Sequence, residues 1–264
     1  MSDGYECIEV GRLSDVMVIR LNRPNSLNAL NPQMLDELIA AVETIGSDIR
    51  ALVITGSGRL FSAGVDLDTP FFMEHVTDTS MYSGKRLLDG QHRVIEAIYN
   101  LPIPTLAALN GHACGGGGLG LAMACDMRFA VAGSRIWMVP GALDVVQDFG
   151  LSWLMQRVAG PSRTLHMALT GYRVPVDEAK IWGAVNEVFE DVESMTAAVE
   201  DFAQSISRSS VDSTQMLKTV VRLGHSSSLR EQLQVEAIAN GLAFQTDEFK
   251  NKKRDYLDEL GGKR

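Results

Sequence analysis

The chain has 264 residues, 45% of them apolar and 22% charged, which is long enough to bury a sizeable core in one large domain or two small ones. With 24 Lys and Arg against 33 Asp and Glu, the formal net charge is −9, and this argues against a general role on nucleic acid or on a membrane surface. The low aromatic content of 6% and the 24 glycines favour a closely packed α/β protein.

The amino-terminal segment is polar and acidic, without the basic and apolar regions of a secretory signal. The cysteines, Cys7, Cys114 and Cys125, have neither C-x-x-C spacing nor a histidine at zinc-site spacing. We therefore expect a cytoplasmic protein with reduced thiols, no metal site and no membrane span.

Apolar periodicity predicts alternating strands and helices in the first half of the chain. Asn31 and Pro32 supply a cap and a first-turn proline to one helical pattern, and a second amphipathic helix is expected at residues 84–99. The predicted strands cover residues 5–10, 16–21, 51–55, 105–109 and 127–131. This alternation favours sheets covered by helices.

Helical patterns dominate the second half of the chain. The predicted helices cover residues 162–169, 176–182, 194–206, 213–223 and 229–240. We place a helical carboxyl-terminal region at residues 207–264, after a core domain of residues 1–206.

A glycine-rich segment, NGHACGGGGLGLAMACD from Asn110, lies between a predicted strand and a predicted helix. Its unhindered backbone amides would attract negative charge at the start of that helix. Gly115, Gly117 and Gly120 satisfy G-x-G-x-x-G, but residues 110–114 separate them from the strand and no acidic residue follows at the distance of a dinucleotide site. An NAD-dependent oxidoreductase remains a competing class, and simple tight helix packing is the alternative without a ligand.

A second small-residue turn, GSGRLFSAGVDLD, follows the predicted strand at residues 51–55. The backbone N–H of Val65 stands where it can point into a cleft. Two such turns can converge on one oxygen, which is what an oxyanion hole requires.

The sequence resembles the enoyl-CoA hydratase/isomerase family of the crotonase superfamily over nearly its whole length. The matching segments are NRPNSLNAL, LVITGSGRLFSAGVDL, LPIPTLAALNGHACGGGGLGLAMACDMRFA, QRVAG and LTGYRVPVDEAKIWGAVNEV. The resemblance implies an α/β spiral of ββα units with a helical carboxyl-terminal region for oligomerisation, as a homotrimer or a dimer of trimers. It implies an acyl-CoA thioester as substrate and no separate cofactor, because coenzyme A is part of the substrate.

Matched residue by residue, the resemblance places the two oxyanion donors at Val65 and Gly117. Gly116 is the alternative donor, because the family usually has three glycine-type residues where this chain has four. The implied substrate-binding positions are Ser62, Ala63, Asp66, Leu67, Gly116, Gly120 and Gly141.

The two glutamates of hydratases in this family fall on Gly120 and Gly141, so ordinary hydration is not expected, because it needs a base for water and an acid for the α-carbon. Asp148 lies in VVQDFGLSWLMQRVAG, which resembles V-P-D-x-G-x-x-W of the isomerase branch, with Gln147 in place of the proline. We therefore expect Asp148 to be the acid/base of a double-bond isomerase; Asp144 lies near enough to be considered.

Several alternatives stay open at this point. In aryl-CoA dehalogenases of the superfamily, an aspartate at the position of Asp148 acts as a nucleophile, and a histidine at the position of His92 activates water. The tryptophan of their ring pocket has Trp137, offset by about three positions, as its counterpart. The remaining alternatives are an atypical hydratase, a non-catalytic acyl-CoA binder, and a helix-capping role for Asp148.

Overall fold

Two β-sheets organise the chain in the computed structural model, which describes residues 4–77, 80–139 and 143–261. The large sheet has the strand order β1-β2-β3-β5-β7-β10 and the small sheet has the order β4-β6-β8-β9. The strands are β1 (Ile8–Leu13), β2 (Val16–Leu21), β3 (Ala51–Gly56), β4 (Leu60–Ser62), β5 (Thr105–Leu109), β6 (His112–Cys114), β7 (Met127–Val131), β8 (Arg135–Trp137), β9 (Val174–Pro175) and β10 (Glu187–Phe189).

A repeated unit links the sheets. β2, β3, β5, β7 and β10 are parallel neighbours in the large sheet, and β3, β5 and β7 each continue into a short parallel strand of the small sheet. The corner between β5 and β6 requires Gly111, because a Cβ there would overlap the Arg59 carbonyl oxygen. The predicted α/β spiral of ββα units is confirmed.

Helices surround the sheets. They are α1 (Pro32–Glu43), α2 (Pro70–Thr77), α3 (Met81–Tyr99), α4 (Gly120–Ala124), α5 (Leu151–Ala159), α6 (Pro161–Thr170), α7 (Val176–Ile181), α8 (Val192–Ser207), α9 (Val211–Leu223), α10 (Leu229–Ala243) and α11 (Asp247–Gly261). As predicted, Asn31 caps α1, with Oδ1 accepting from the Met34 amide at 2.9 Å. Within the described residues, no helix is long and apolar enough to cross a membrane.

The core has two parts. One lies between the sheets and α1, α3, α4 and α5, and the other between the large sheet and α8. In the second part, Met195, Val199 and Ala203 on α8 pack against the sheet with Val53 and Leu106. α8 therefore covers one face of the large sheet, whereas α9 and α10 have no buried residues in the single chain.

Some sequence predictions of local structure were wrong. The first strand was expected at residues 5–10, but β1 runs from Ile8 to Leu13. The hairpin turn that follows it includes Ser14, which has φ +57°. β4, β6 and β8 were not predicted, because a strand of three residues is too short to show an alternation of apolar and polar side chains. The predicted glycine loop is helical, with a π-helical turn at Gly115–Leu119 running into α4.

Asp126, between α4 and β7, ties α9 to the sheet. Its carboxylate accepts from Lys218 Nζ and from Arg222 Nη2, both at 2.7 Å, and from the Thr105 amide at 2.8 Å. The side chains of Lys218 and Arg222 are only 9% and 20% exposed, so each depends on this carboxylate for charge compensation.

We expect Asp126→Ala to lower the free energy of unfolding by about 3–5 kcal/mol, since it leaves two largely buried cations unpaired. Asp247→Ala is the matched control: its partner Lys250 lies 2.9 Å away on an exposed face, and its loss is expected to cost less than about 1 kcal/mol. Urea unfolding measures both. Equal, small losses in the two variants would contradict this role of Asp126.

Candidate active site

Two backbone segments touch where the small sheet ends. Gly64 (φ +101°) follows β4, and a Cβ on it would lie 3.1 Å from the Cys114 carbonyl oxygen and 3.4 Å from the Gly115 Cα. A positive φ and this contact each favour glycine. The segment at residues 62–67 therefore lies directly against the start of the glycine-rich segment.

The Val65 amide faces that contact. The Leu30 amide donates to the Gly64 carbonyl oxygen at 2.7 Å, and the Leu30 carbonyl oxygen accepts from the Asp66 amide at 3.0 Å. Leu30 is therefore hydrogen-bonded to the residues before and after Val65, but not to Val65 itself. In a parallel bridge of this kind, the N–H of the middle residue points the opposite way. A Cβ on Gly117 would lie 3.2 Å from the Val65 nitrogen, so the glycine segment closely approaches this amide. Within the described residues, the Val65 amide donates no hydrogen bond.

The glycine-rich segment presents its own amides at the same place. Gly115–Leu119 is a π-helical turn, and the first amides of a helix have no acceptor within that helix. Gly116 and Gly117 occupy these first positions. The structure thus brings together the backbone donors that the resemblance implied, Val65 and either Gly117 or Gly116.

Asp148 lies over the glycine segment. Its carboxylate is so close to Gly116 that a Cβ on that glycine would overlap Oδ1. Gln147 Nε2 donates to Asp148 Oδ1 at 3.3 Å and to its carbonyl oxygen at 3.2 Å. The residue is half-buried, and burial raises the pKa of the carboxyl group; hydrogen bonding from its own backbone amide and the electrostatic effect of nearby His92 lower it in part. A raised pKa suits a carboxyl group that both takes and gives a proton near neutral pH.

Phe149 fills the space beside Asp148. It is fully buried, and its backbone has φ +50°, a conformation that costs a bulky residue about 1–3 kcal/mol. A Cβ on Gly120 would lie 2.7 Å from Phe149 Cβ and 3.1 Å from its carbonyl oxygen. Phe149 therefore fills the space that a side chain at Gly120, the first of the two glutamate positions, would need. The second position, Gly141, lies outside the described residues.

His92, on α3, reaches the same turn. Its Nε2 accepts from the Phe149 backbone N–H at 3.1 Å, and its ring meets the Phe149 ring edge-on at a centroid distance of 5.8 Å. The water-activating role expected for His92 stays a prediction, and the structure places the residue beside Asp148 with one ring nitrogen engaged. A nitrogen that accepts a hydrogen bond carries no proton.

Ser62 and Ala63 hold the segment at residues 62–67 in its conformation. The buried Ser62 hydroxyl donates to the Asn28 carbonyl oxygen at 2.8 Å and accepts from the Gly64 amide at 3.2 Å. The Ala63 carbonyl oxygen accepts from the Cys114 thiol at 2.9 Å. Burial raises the pKa of that thiol to about 12, so it is protonated at neutral pH.

Asp66 and Leu67 lie further from the glycine contact. The Asp66 carboxylate pairs with Arg23 at 2.8 Å, with side-chain exposures of 16% and 21%. Arg23 also donates to the Ala29 carbonyl oxygen at 2.6 Å. This ion pair engages the side chain of Asp66 within the protein, and Leu67, which is exposed, marks the surface end of the segment.

Two other candidates from the sequence are Asp144 and Trp137, the second of which pairs with Cys114 between β6 and β8. Asp144 is exposed, whereas Asp148 is half-buried. Trp137 packs edge-on against His112 at 5.8 Å and stacks under the Arg173 guanidinium at 4.8 Å. Trp137 therefore has its own packing partners at the end of β8.

Three residues that support the site were missed from the sequence. Asn28 and Asn110 are buried and hold the turn before β4: their side-chain amides donate to the Leu60 carbonyl oxygen at 2.9 and 3.3 Å. Asn28 was visible as part of the matching segment NRPNSLNAL, and Asn110 as the polar end of an apolar strand. Phe149 gave no signal, since its role follows from contacts with Gly120 and His92.

Known proteins are similar to this chain in both sequence and fold. A family model described as enoyl-CoA hydratase/isomerase matches residues 11–261. The 4-chlorobenzoyl coenzyme A dehalogenase-2 of an Arthrobacter species is 33% identical, over 84% of this chain and 80% of that protein. The 1,2-epoxyphenylacetyl-CoA isomerase of Escherichia coli K12 is 28% identical over 89% of each chain. A Thermobifida fusca YX protein solved in complex with acetoacetyl-CoA has a TM-score of 0.82 at 25% identity, covering 90% of this chain and 94% of the other.

The family match spans all the elements that build the site, from β1 through α11. The resemblance seen in the sequence, the ββα spiral and the paired backbone segments lead to the same assignment. The chain belongs to the enoyl-CoA hydratase/isomerase family of the crotonase superfamily.

Proposed function

We propose that this protein is an acyl-CoA enzyme that moves a double bond along the acyl chain of an enoyl-CoA, with Asp148 as its acid and base. The observation that carries the proposal is the half-buried Asp148 carboxyl group lying directly over Gly116, beside the amides of Val65 and Gly117. A proton acceptor next to an oxyanion hole is the arrangement that enolate chemistry requires.

In this reaction the thioester oxygen binds between the Val65 and Gly117 amides. The Asp148 carboxylate takes a proton from the α- or γ-carbon, and the electrons of that C–H bond move into the thioester as an enolate. The amides stabilise the charge on the enolate oxygen. Asp148 is only half-buried, so its carboxyl proton exchanges with solvent. The carboxyl group then gives a proton to the other carbon, so the double bond has moved and the formula is unchanged. No cofactor takes part and no water is added.

Hydration has less support because it needs two acid–base groups. Phe149 occupies the space beside Gly120 where a hydratase of this family would carry a glutamate. One carboxyl group, which removes a proton from one carbon and gives a proton to another, is enough for isomerisation.

Hydrolytic dehalogenation is the second candidate, and the similarity to a 4-chlorobenzoyl-CoA dehalogenase favours it. There, Asp148 would displace the halide from the ring and His92 would activate water to release the product. The hydrogen bond that His92 Nε2 accepts from Phe149 leaves that nitrogen no free lone pair for water. We therefore rank this reaction below isomerisation.

We also propose that residues 207–264 serve oligomerisation, as a homotrimer or a dimer of trimers. α9 and α10 have no fully buried residue within the single chain, and they carry large exposed apolar side chains. These are Leu217, Val221, Leu223, Leu229, Leu233, Ile238 and Leu242. Apolar surface of this extent usually meets a partner.

The first test follows deuterium by mass spectrometry when 3-enoyl- and 2-enoyl-CoAs are incubated in D₂O. We expect the wild type to interconvert them with deuterium uptake and no gain of water. Asp148→Asn should slow this by roughly 10²- to 10⁴-fold, because it removes the acid–base group. A product heavier by one water would show that the protein is a hydratase, and halide release from an aryl-CoA would show that it is a dehalogenase. Binding without any turnover would show a non-catalytic protein. Each of these outcomes would overturn the proposal.

Thermal unfolding provides the control that Asp148→Asn is folded. The folded-state pKa of Asp148 is raised, so the ionised carboxylate lowers stability above its ordinary pKa, and stability falls as pH rises through the folded-state value. The uncharged asparagine has no such loss. We therefore expect the Tm of the variant to exceed that of the wild type at neutral pH, with the difference vanishing as the pH falls towards the ordinary carboxyl pKa.

A second prediction concerns the oxyanion hole. Val65→Pro removes an amide proton that no group of the described residues accepts, so turnover should fall by roughly 10²- to 10³-fold while the fold persists. Val65→Ala keeps the amide and is the matched control, expected to retain turnover. Circular dichroism and kcat are measured for both. A folded Val65→Pro with the kcat of Val65→Ala would show that this amide does not stabilise the enolate.

A third prediction tests the packing that excludes a side chain at Gly120. Gly120→Ala would place a Cβ 2.7 Å from Phe149 Cβ and should lower the free energy of unfolding by about 1–3 kcal/mol. Gly90→Ala, inside α3 with nothing within 4 Å of the new Cβ, should raise it by about 0.5–1 kcal/mol. Chemical denaturation distinguishes the two, and a neutral Gly120→Ala would mean that Phe149 yields easily.

A further inference from the structure

We propose that His92 is a positioning residue for Asp148: its Nε2 holds the Phe149 backbone amide and thereby keeps the neighbouring carboxyl group over Gly116. It does not act as a base on water. The inference rests on the proposed role of Asp148 as the acid and base, and it assigns to His92 a task that needs only a hydrogen-bond acceptor.

The turn after Asp148 has an unusual backbone conformation at two consecutive residues. Phe149 (φ +50°) and Gly150 (φ +68°) are consecutive residues in the left-handed region, and the turn closes with the Leu151 amide donating to the Asp148 carbonyl oxygen at 3.1 Å. A bulky residue stays in that conformation only when its surroundings hold it there. His92 Nε2 is the acceptor of the Phe149 amide, which would otherwise be an unpaired donor in a buried residue.

Side-chain packing places Phe149 and Asp148 as one unit. The Phe149 ring would lie 3.0 Å from a Cβ on Gly116, and its Cβ lies equally tightly over Gly120. Because Asp148 is the preceding residue and its Oδ1 lies on the same Gly116, a shift of the Phe149 backbone displaces the carboxyl group as well. The His92 ring, edge-on to the Phe149 ring, closes the remaining side.

The direction of the hydrogen bond fixes the proton of His92. A ring nitrogen that accepts an N–H must offer its lone pair, so His92 is neutral with its proton on Nδ1. The same lone pair cannot also take a proton from water. The Phe149 hydrogen bond and water activation at Nε2 are therefore mutually exclusive.

The discriminating variants are His92→Gln and His92→Leu. The glutamine carbonyl oxygen can reach the place of Nε2 and accept from Phe149 but is no base, whereas leucine can do neither. We expect His92→Leu to lower kcat for deuterium exchange by roughly 10²-fold, as for a misplaced catalytic group, with little change in KM. His92→Gln should recover most of that loss. If His92→Gln were as slow as His92→Leu, or His92→Leu as fast as the wild type, the inference would be wrong.

Two readouts do not depend on turnover. Hydrogen–deuterium exchange of the peptide containing Phe149 should show amide protection in the wild type and His92→Gln, and loss of it in His92→Leu. In ¹⁵N-histidine-labelled wild type, with signals assigned by replacing the other histidines in turn, the His92 proton should lie on Nδ1. A proton on Nε2 would overturn the inference even if neither variant folds. If the wild type exchanges no deuterium with any enoyl-CoA, the proposed function fails, and these two readouts still decide the contact.

Discussion

The close approach of two backbone segments, residues 62–66 and 115–118, is the contact on which the site depends. A Cβ on Gly64 would meet the Cys114 carbonyl oxygen at 3.1 Å, and one on Gly118 would meet the Ser62 carbonyl oxygen at 2.6 Å. Only glycines allow the segments to lie this near each other. In the proposed reaction their amides face one small volume, in which donors that need not reorganise would stabilise a developing negative charge.

Packing around that contact also selects the chemistry. Phe149 lies against Gly120, so α4 has no room for a side chain at its first residue, beside the proposed oxyanion hole. The carboxyl group comes instead from the next residue back, Asp148, on a turn that approaches from the other side. A single acid–base group above an enolate hole can move a proton between carbons, whereas adding water requires a second group.

The long elements could be predicted from the sequence because their signals are local. Strands β5 and β7 and the start of α1 at Asn31 follow from apolar runs, period and capping. The family resemblance supplied Val65, Gly117 and Asp148 together. By contrast, the His92–Phe149 hydrogen bond joins residues far apart in sequence, and the Arg23–Asp66 pair depends on the loop that carries Arg23. Such contacts arise only from the folded arrangement, so no periodicity or spacing reveals them.

Unfavourable features gather around Asp148 more than the needs of folding explain. Its carboxyl group has a pKa raised by burial, and Phe149 adopts a left-handed backbone. Gln147 directly precedes Asp148, and Gln91 directly precedes His92. The Oε1 atoms of both glutamines are buried with no partner among the described residues. Buried acceptors without donors and strained backbone both lower stability, and proteins retain them mainly where function requires them. Such a concentration beside paired amides is the physical reason for placing the reaction at this turn, since an aspartate that merely capped α5 would need neither burial nor strain.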